Sequence, residues 1–352
     1  MTYLDPSQPV MVTGATGYVA GWLVKKLLDE GFTVHAPVRS PDKPEKIKYL
    51  EQLAINAPGS IKYFKADLLD PGSYTEAMKG CQVVFHTASP FTTNVKDPQK
   101  DLVDPALEGT RNVLDSVNQT PSVKRVVLTS SCAAIYGDNQ DLQTLPDQTL
   151  TEDVWNTSST LHHQAYSYSK TVAEREAWKI AEAQDRWDLV VVNPSLVIGP
   201  GINPMSTSES FNLIKQMGDG TMKSGAPDLE IGVVDVRDLA EAHYQAAVRA
   251  EAKGRHIVSA KNSSMIELAR MLHNKFGTAY AFPQKTLPKW LVWLLAPTVG
   301  LKRKMVKQNF GYPWKADHSK SKQALGLSYR PVEESITDFF RQMIDHGIVK
   351  AR

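Results

Sequence analysis

Apolar and polar positions alternate along the first half of this chain in a regular rhythm. Residues 10–12, Val-Met-Val, form an uninterrupted apolar run suited to a strand buried on both faces. Gly14, Ala15, Thr16 and Gly17 then turn the chain, and from 19 to 28 the apolar residues recur at helical spacing. Gly31 closes that helix, and 32–38 reads as a second strand. Further strands are predicted at 60–65, 82–85, 123–129 and 187–192, with helices over 101–118 and from 166 to about 184. Strands and helices in alternation predict an α/β fold, a doubly wound parallel sheet covered on both faces. After Asn193-Pro194-Ser195 the proline and glycine density rises and the alternation stops, which marks the edge of a first domain. Residues 231–239 read as a return to that domain, leading into a helix to about 250, with a last strand at 257–258. From 263 onward the pattern is mostly helical. The expected organisation is a cofactor-binding domain over 1–195 and 227–260, and a smaller, mostly helical substrate-binding region over 196–226 and 261–352.

The opening strand–turn–helix–strand is the sequence form of a dinucleotide-binding unit. Glycines in such a turn let the backbone approach a pyrophosphate, and the helix N-terminus offers free N–H groups and partial positive charge. The spacing here is TGxxGxxA, with Ala20 where a third glycine often sits. That position needs only a small side chain for close helix–strand packing, so Ala20 fits.

At the end of the second strand stands Arg39. An NAD-specific site places an acidic residue there to hold the ribose 2′-OH. Neither Asp nor Glu occurs from Gly31 to Pro41. Arg39 instead offers a planar cation to a 2′-phosphate, and Lys46 adds a second charge, so the expected cofactor is NADP. Asp67 and Leu68 follow the third strand, and the fourth runs into His86-Thr87-Ala88-Ser89-Pro90. In a doubly wound sheet these strand ends line the cofactor crevice. Asp67 is then placed to meet the adenine and Ala88 the middle of the cofactor. His86 alone reads as a satisfied strand-end histidine.

Bulk properties narrow the class of protein. At 352 residues, one large domain or two closely joined ones are expected. A formal net charge of +2 argues against a nucleic-acid binder. Cys81 and Cys132 are too few for a disulfide framework or a thiolate metal site, and no metal is expected. The opening residues MTYLDPSQ do not read as a secretory signal, and no apolar run reaches membrane-spanning length. A cytoplasmic monomer or homodimer acting on a small molecule is the expected default. The apolar run at 290–295, followed by Lys302, Arg303, Lys304 and Lys307, admits two readings: a membrane-surface helix or a lid over the substrate pocket. The run is short and Pro297 interrupts it, which favours the lid.

The sequence Tyr166-Ser167-Tyr168-Ser169-Lys170 opens the helix after the fifth strand. Tyr166 and Lys170 are four apart and share one helical face, whereas Tyr168 points elsewhere. A lone YxxxK is a weak signal. It gains weight downstream of a glycine-rich unit and a strand ending in Ser130-Ser131.

Taken together, TGATGYVA, Arg39, Asp67-Leu68, HTASP, TSS, YSYSK and NPSLVIGP resemble the extended short-chain dehydrogenase/reductase superfamily, within its dihydroflavonol-4-reductase-like branch of aldehyde and ketone reductases. The resemblance covers about 8 to 260. It implies a Rossmann fold of the extended type and makes Ser131, Tyr166 and Lys170 the catalytic residues, the branch using the second serine of TSS. Gly14, Gly17, Tyr18, Arg39, Lys46, Asp67, Leu68, Ala88, Lys170 and Pro194 would contact NADP. In plant dihydroflavonol reductases an asparagine lies five residues after the catalytic serine; here that position is Tyr136. The substrate pocket is expected to be lined by Phe91, Ile135, Tyr136, Val197 and Met205, mainly apolar.

The chemistry expected is reduction of an aldehyde or ketone, aromatic or medium-chain, to an alcohol. Carbonyl reduction needs a hydride, a proton and a donor that polarises the carbonyl. NADPH supplies the first, Tyr166 the second and Ser131 the third. A free tyrosine has a pKa near ~10, so Lys170 on the same face is expected to favour the phenolate. Two rival classes share the fold. An NAD-dependent sugar-nucleotide epimerase or 3β-hydroxysteroid dehydrogenase would usually carry the acidic residue missing here. A non-enzymatic NADP-binding sensor would commonly have lost the tyrosine or lysine.

Overall fold

The computed structural model describes residues 4–89, 95–205 and 208–352. Ten strands follow in chain order: β1 (Val10–Thr13), β2 (Thr33–Val38), β3 (Ser60–Lys65), β4 (Val83–His86), β5 (Arg125–Thr129), β6 (Asp188–Pro194), β7 (Leu196–Ile198), β8 (Glu230–Asp235), β9 (Gly254–Val258) and β10 (Lys261–Ser264). Seven form one parallel sheet in the order β3-β2-β1-β4-β5-β6-β9. The order reverses between β1 and β4, the switch point at which ligands of doubly wound sheets bind.

The period of two along each strand sorts side chains between two cores. Val10, Val12, Val83, Phe85, Val127, Val190 and Val192 face one layer, with Leu23, Val24 and Leu27 of the helix Tyr18–Asp29 and Leu239, Ala242 and Ala246 of the helix Val236–Val248. Met11, Val84, Val126, Leu128, Leu189 and Val191 face the other, with Val113, Leu114 and Val117 of the helix Asp104–Asn118 and Ala177 of the helix Ala165–Glu182. The first helix ends through Gly31, whose φ of +84° a residue with a Cβ adopts only with strain. Its N–H donates to the Leu28 carbonyl. At the far end of the sheet Arg125, 1% exposed, forks onto both carboxylate oxygens of Asp188 at 2.8 and 2.7 Å, joining β5 to β6.

The second lobe is built around β10-β8-β7, in which β8 runs parallel to β7 and antiparallel to β10. This corrects one expectation. Residues 231–235 do not rejoin the large sheet, although the helix after them does return to its face. The substrate-side region, expected to be mostly helical, also carries this small sheet. Its strands are three to six residues long, too short for periodicity to declare them. A third core gathers Phe211, Ile214, Val233, Leu268, Phe339, Phe340 and Met343 beneath that sheet. Among the described residues no helix is long and apolar enough to cross a membrane.

Candidate active site

The crevice begins where β1 and β4 end. Thr13 Oγ1 accepts N–H bonds from Thr87 at 3.1 Å and Ala88 at 3.0 Å. With both acceptor sites engaged, its own hydrogen goes to His86 Nδ1, 2.9 Å away. His86 is 2% exposed; burial, with Lys170 adding its charge, pushes its pKa down to about 3. It is a neutral, satisfied strand-end histidine, as expected.

This stitching brings Ala88 onto the glycine turn. Gly14 has φ +65°, and a Cβ built there would lie 3.0 Å from the Ala88 Cα. Gly17 caps the helix Tyr18–Asp29 with no side-chain hydrogen bond, and the first turn carries no acidic residue. The helix N–H groups are thus left for an anion from outside. The Tyr18 side chain turns away from this end. Its hydroxyl donates to the Gly199 carbonyl at 2.6 Å, and its ring packs on Phe211 and Phe339. The expectation that Tyr18 meets the cofactor therefore reduces to its backbone N–H; the ring clamps the two lobes together.

Arg39 and Lys46 are exposed beyond β2. Burial raises the pKa of Tyr74, with Asp67 adding to the effect and Arg39 opposing it, which places both charges around one phenol. Asp67 Oδ1 also accepts the Leu69 N–H at 2.9 Å. Leu68 packs so closely on Gly109 that a Cβ there would lie 2.5 Å from the Leu68 Cγ. Its side chain packs on the helix Asp104–Asn118. Pro194 closes β6 and is buried.

Tyr166 and Lys170 lie in the first two turns of the helix Ala165–Glu182, and the Lys170 ammonium is 6.0 Å from the Tyr166 ring centroid. The helix is entered through Gln164, a non-glycine residue at φ +56°. Asp138, fully buried, holds that entry: it accepts from Gln164 Nε2 at 3.1 Å and Asn309 Nδ2, and meets His163 Nε2 at 2.6 Å. The Tyr166 hydroxyl lies near enough to Ser131 for the serine to pull its pKa down. The Ser131 Oγ also accepts the Ala133 N–H at 3.1 Å. Burial holds the Tyr166 pKa above its ordinary value, and the influence pulling it down is Ser131. Lys170 is itself strained by burial, which pushes its pKa down to about 8 against the pull of Glu174.

Glu174, which the sequence pattern did not single out, sits behind the two serines. It is 1% exposed. One oxygen accepts from Ser130 Oγ and from Asn193 Nδ2 at 2.8 Å; the other accepts from Arg255 Nε at 2.6 Å. Arg255 in turn donates to the Glu152 and Val154 carbonyls and lies over the Trp155 ring. Ser130 is thereby consumed, which leaves Ser131 as the serine beside Tyr166. The available signal was spacing: Tyr166, Lys170 and Glu174 follow one another at four-residue steps along one helix face.

The expected pocket wall divides. Tyr136 is half-buried with its ring edge-on to Trp314, 6.0 Å between centroids. Val197 is half-buried and Met205 is 61% exposed. Ile135 is 0% exposed within a cluster of Cys132, Leu142, Leu150, Ile257 and Trp314, so it packs beneath the site and does not line it. Phe91 lies outside the described residues.

The sequence model of the NAD dependent epimerase/dehydratase family matches residues 10–260. The chain is 38% identical over 335 residues to cinnamoyl-CoA reductase CAD2 of Medicago truncatula, covering 94% of this chain and 93% of that one. It is 34% identical over 344 residues to tetraketide alpha-pyrone reductase 1 of Arabidopsis thaliana, covering 96% of each. Among solved structures, yeast methylglyoxal/isovaleraldehyde reductase Gre2 complexed with NADPH superposes with a TM-score of 0.75 at 28% identity, covering 96% of this chain and 99% of that one.

Proposed function

The chain belongs to the NAD dependent epimerase/dehydratase family, as an extended short-chain dehydrogenase/reductase, and from that premise we propose that it reduces an aromatic or medium-chain aldehyde or ketone to the alcohol. Its cofactor is NADP, which the crevice residues fit. The uncapped helix N-terminus behind Gly17 and the side-chain-free approach at Gly14 suit a pyrophosphate. Arg39 supplies a cation where an NAD site would carry an acid. When bound, NADPH supplies the hydride.

The observation that carries the reading is that Tyr166 and Lys170 lie one turn apart on one helix, with the ammonium 6.0 Å from the ring, beside Ser131. The Tyr166 hydroxyl holds a proton at its oxygen and releases it to the substrate oxygen as charge develops there. Burial keeps that proton in place at neutral pH. Ser131 also donates to the substrate oxygen, a fixed dipole aimed at developing charge. Glu174 fixes Ser130 and Asn193, and Asn193 Nδ2 donates to the Ser131 carbonyl at 3.2 Å, so the serine is held from behind. Reduction consumes a proton, so alcohol oxidation gains ground as pH rises.

The substrate class rests on the expected pocket wall. Tyr136, Val197 and Met205, none of them fully buried, would present an apolar surface with one hydroxyl. A pocket that orients a polyhydroxylated ring needs matching polar groups, and missing ones carry a heavy penalty. The test is kcat/KM across benzaldehyde-type aldehydes, medium-chain ketones and a dihydroflavonol. We expect turnover of the first two groups and little of the third; a clear preference for the dihydroflavonol overturns the substrate assignment.

Cofactor preference gives a separate expected result. Arg39→Asp should raise KM for NADPH at least tenfold while changing KM for NADH little, since a charge-assisted contact contributes about 1.5–3 kcal/mol. Initial rates with each cofactor measure it, and equal use of both by the unmodified protein contradicts the role given to Arg39.

A further inference from the structure

The segment 289–309 presents an apolar face that nothing in the described protein covers. It consists of the helix Lys289–Leu295, a 3₁₀ turn Ala296–Val299 and the helix Arg303–Asn309. Val292 and Ala296 point inward, onto Val306 and Phe310. Trp290, Trp293 and Leu294, at helical spacing on the other side, are exposed, as are Leu295 and Val299. Among the described residues ten large apolar side chains are exposed, and five of them fall within these ten positions. A lid packed on a substrate pocket would bury that face; here Trp290 is 68% and Val299 64% exposed.

The charge around it is one-sided. Residues 285–316 hold seven cations, Lys285, Lys289, Lys302, Arg303, Lys304, Lys307 and Lys315, and no Asp or Glu. The whole chain is +2, so the remainder is net −5 and the positive charge is concentrated here. Arg303 lies 4.5 Å from the Trp293 ring centroid, which puts cation and indole side by side. Lys302, Arg303, Lys304 and Lys307 are exposed, and no ion pair among the described residues uses them.

We infer that this face docks on a bilayer bearing anionic lipids. Tryptophan and leucine on one side of a short amphipathic helix, with a basic collar, match the interfacial zone of such a membrane: indoles sit at headgroup depth and cations meet phosphate and carboxylate. A second copy of this chain fits less well, because a two-fold contact would set the basic collar against itself. The helix lies on the surface, being seven residues long. Lys302 Nζ donates to the His162 carbonyl at 2.8 Å, so the docked face is tied to the loop that leads into Tyr166. An apolar carbonyl compound dissolved in the membrane would be presented near the site.

Sedimentation of the full chain with vesicles tests this. Vesicles of phosphatidylcholine with about one third phosphatidylserine should carry the protein down at low salt and release it as salt rises. Pure phosphatidylcholine vesicles should bind at least tenfold more weakly. Trp290→Ser with Trp293→Ser should abolish binding, and Lys304→Gln with Lys307→Gln should weaken it by roughly thirtyfold, at the usual contribution of one basic residue each. Reductase activity toward a water-soluble substrate should be unchanged in both variants, which shows that they fold. No binding to the anionic vesicles overturns the inference. So does equal binding to both vesicle types, or dimerisation in solution that the tryptophan substitutions abolish.

Discussion

Tyr166→Phe is expected to lower kcat by roughly 10²–10⁴-fold, the usual contribution of a positioned acid, while leaving NADPH affinity nearly unchanged. The substitution removes one oxygen and keeps the ring. No packing is lost, so folding should not be at stake. What would disappear is the hydroxyl proposed to carry a proton to the substrate oxygen. Ser131 still donates, yet its hydroxyl has no proton to give up at neutral pH. Its remaining bond, from the Ala133 N–H at 3.1 Å, keeps it in position. Residual activity then measures the serine and binding terms alone. Stopped-flow turnover together with a fluorescence titration of NADPH separates the two effects. A folded Tyr166→Phe protein with near-normal kcat would remove Tyr166 from the mechanism.

How much of this was legible in the sequence depends on the range of each signal. The doubly wound sheet was legible because its central strands are buried on both faces and the helices between them keep their period. The Tyr166–Lys170 pair was legible because both residues lie on one helix. Contacts that close over long sequence distances left no such trace. Asp138, His163 and Asn309 meet across 171 positions to hold the strained Gln164, and no local pattern announces it. The second sheet was hidden for a related reason: β7 and β10 are three and four residues long, and their partners lie far away in the chain. Single large side chains beside a motif were the least legible of all. Tyr18 and Ile135 each follow a motif closely, and each could turn either way from its backbone; both turn into the packing. Ser131 was separable from Ser130 only by resemblance until Glu174 was seen to occupy Ser130.

Lys170 gives the second large effect, and its direction can be worked out. Its ordinary pKa of 10.5 is pushed down to about 8 by burial, while Glu174 pulls upward. The ammonium is therefore present below about pH 8 and lost above it. If catalysis uses that charge, kcat/KM for carbonyl reduction falls as pH rises through about 8. Lys170→Met should be slower by roughly 10²-fold or more at pH 7, bind NADPH less tightly, and lack that alkaline fall. Stability moves in the opposite sense. Between about pH 8 and 10.5 the unfolded chain holds the lysine proton and the folded chain does not, so the wild-type protein gains stability as pH rises through that window. Lys170→Met should show no such gain, which ties the kinetic limb to this residue. Glu174→Gln supplies the discriminating variant. It removes the anion that supports the ammonium, so the alkaline fall should move to lower pH. It also strips Arg255 of its partner at 2.6 Å, and a lower melting temperature is expected with it. A purely structural Glu174 would lower the melting temperature and leave the pH profile where it was; a shifted profile in protein that remains folded at assay temperature assigns it to holding the charge on Lys170.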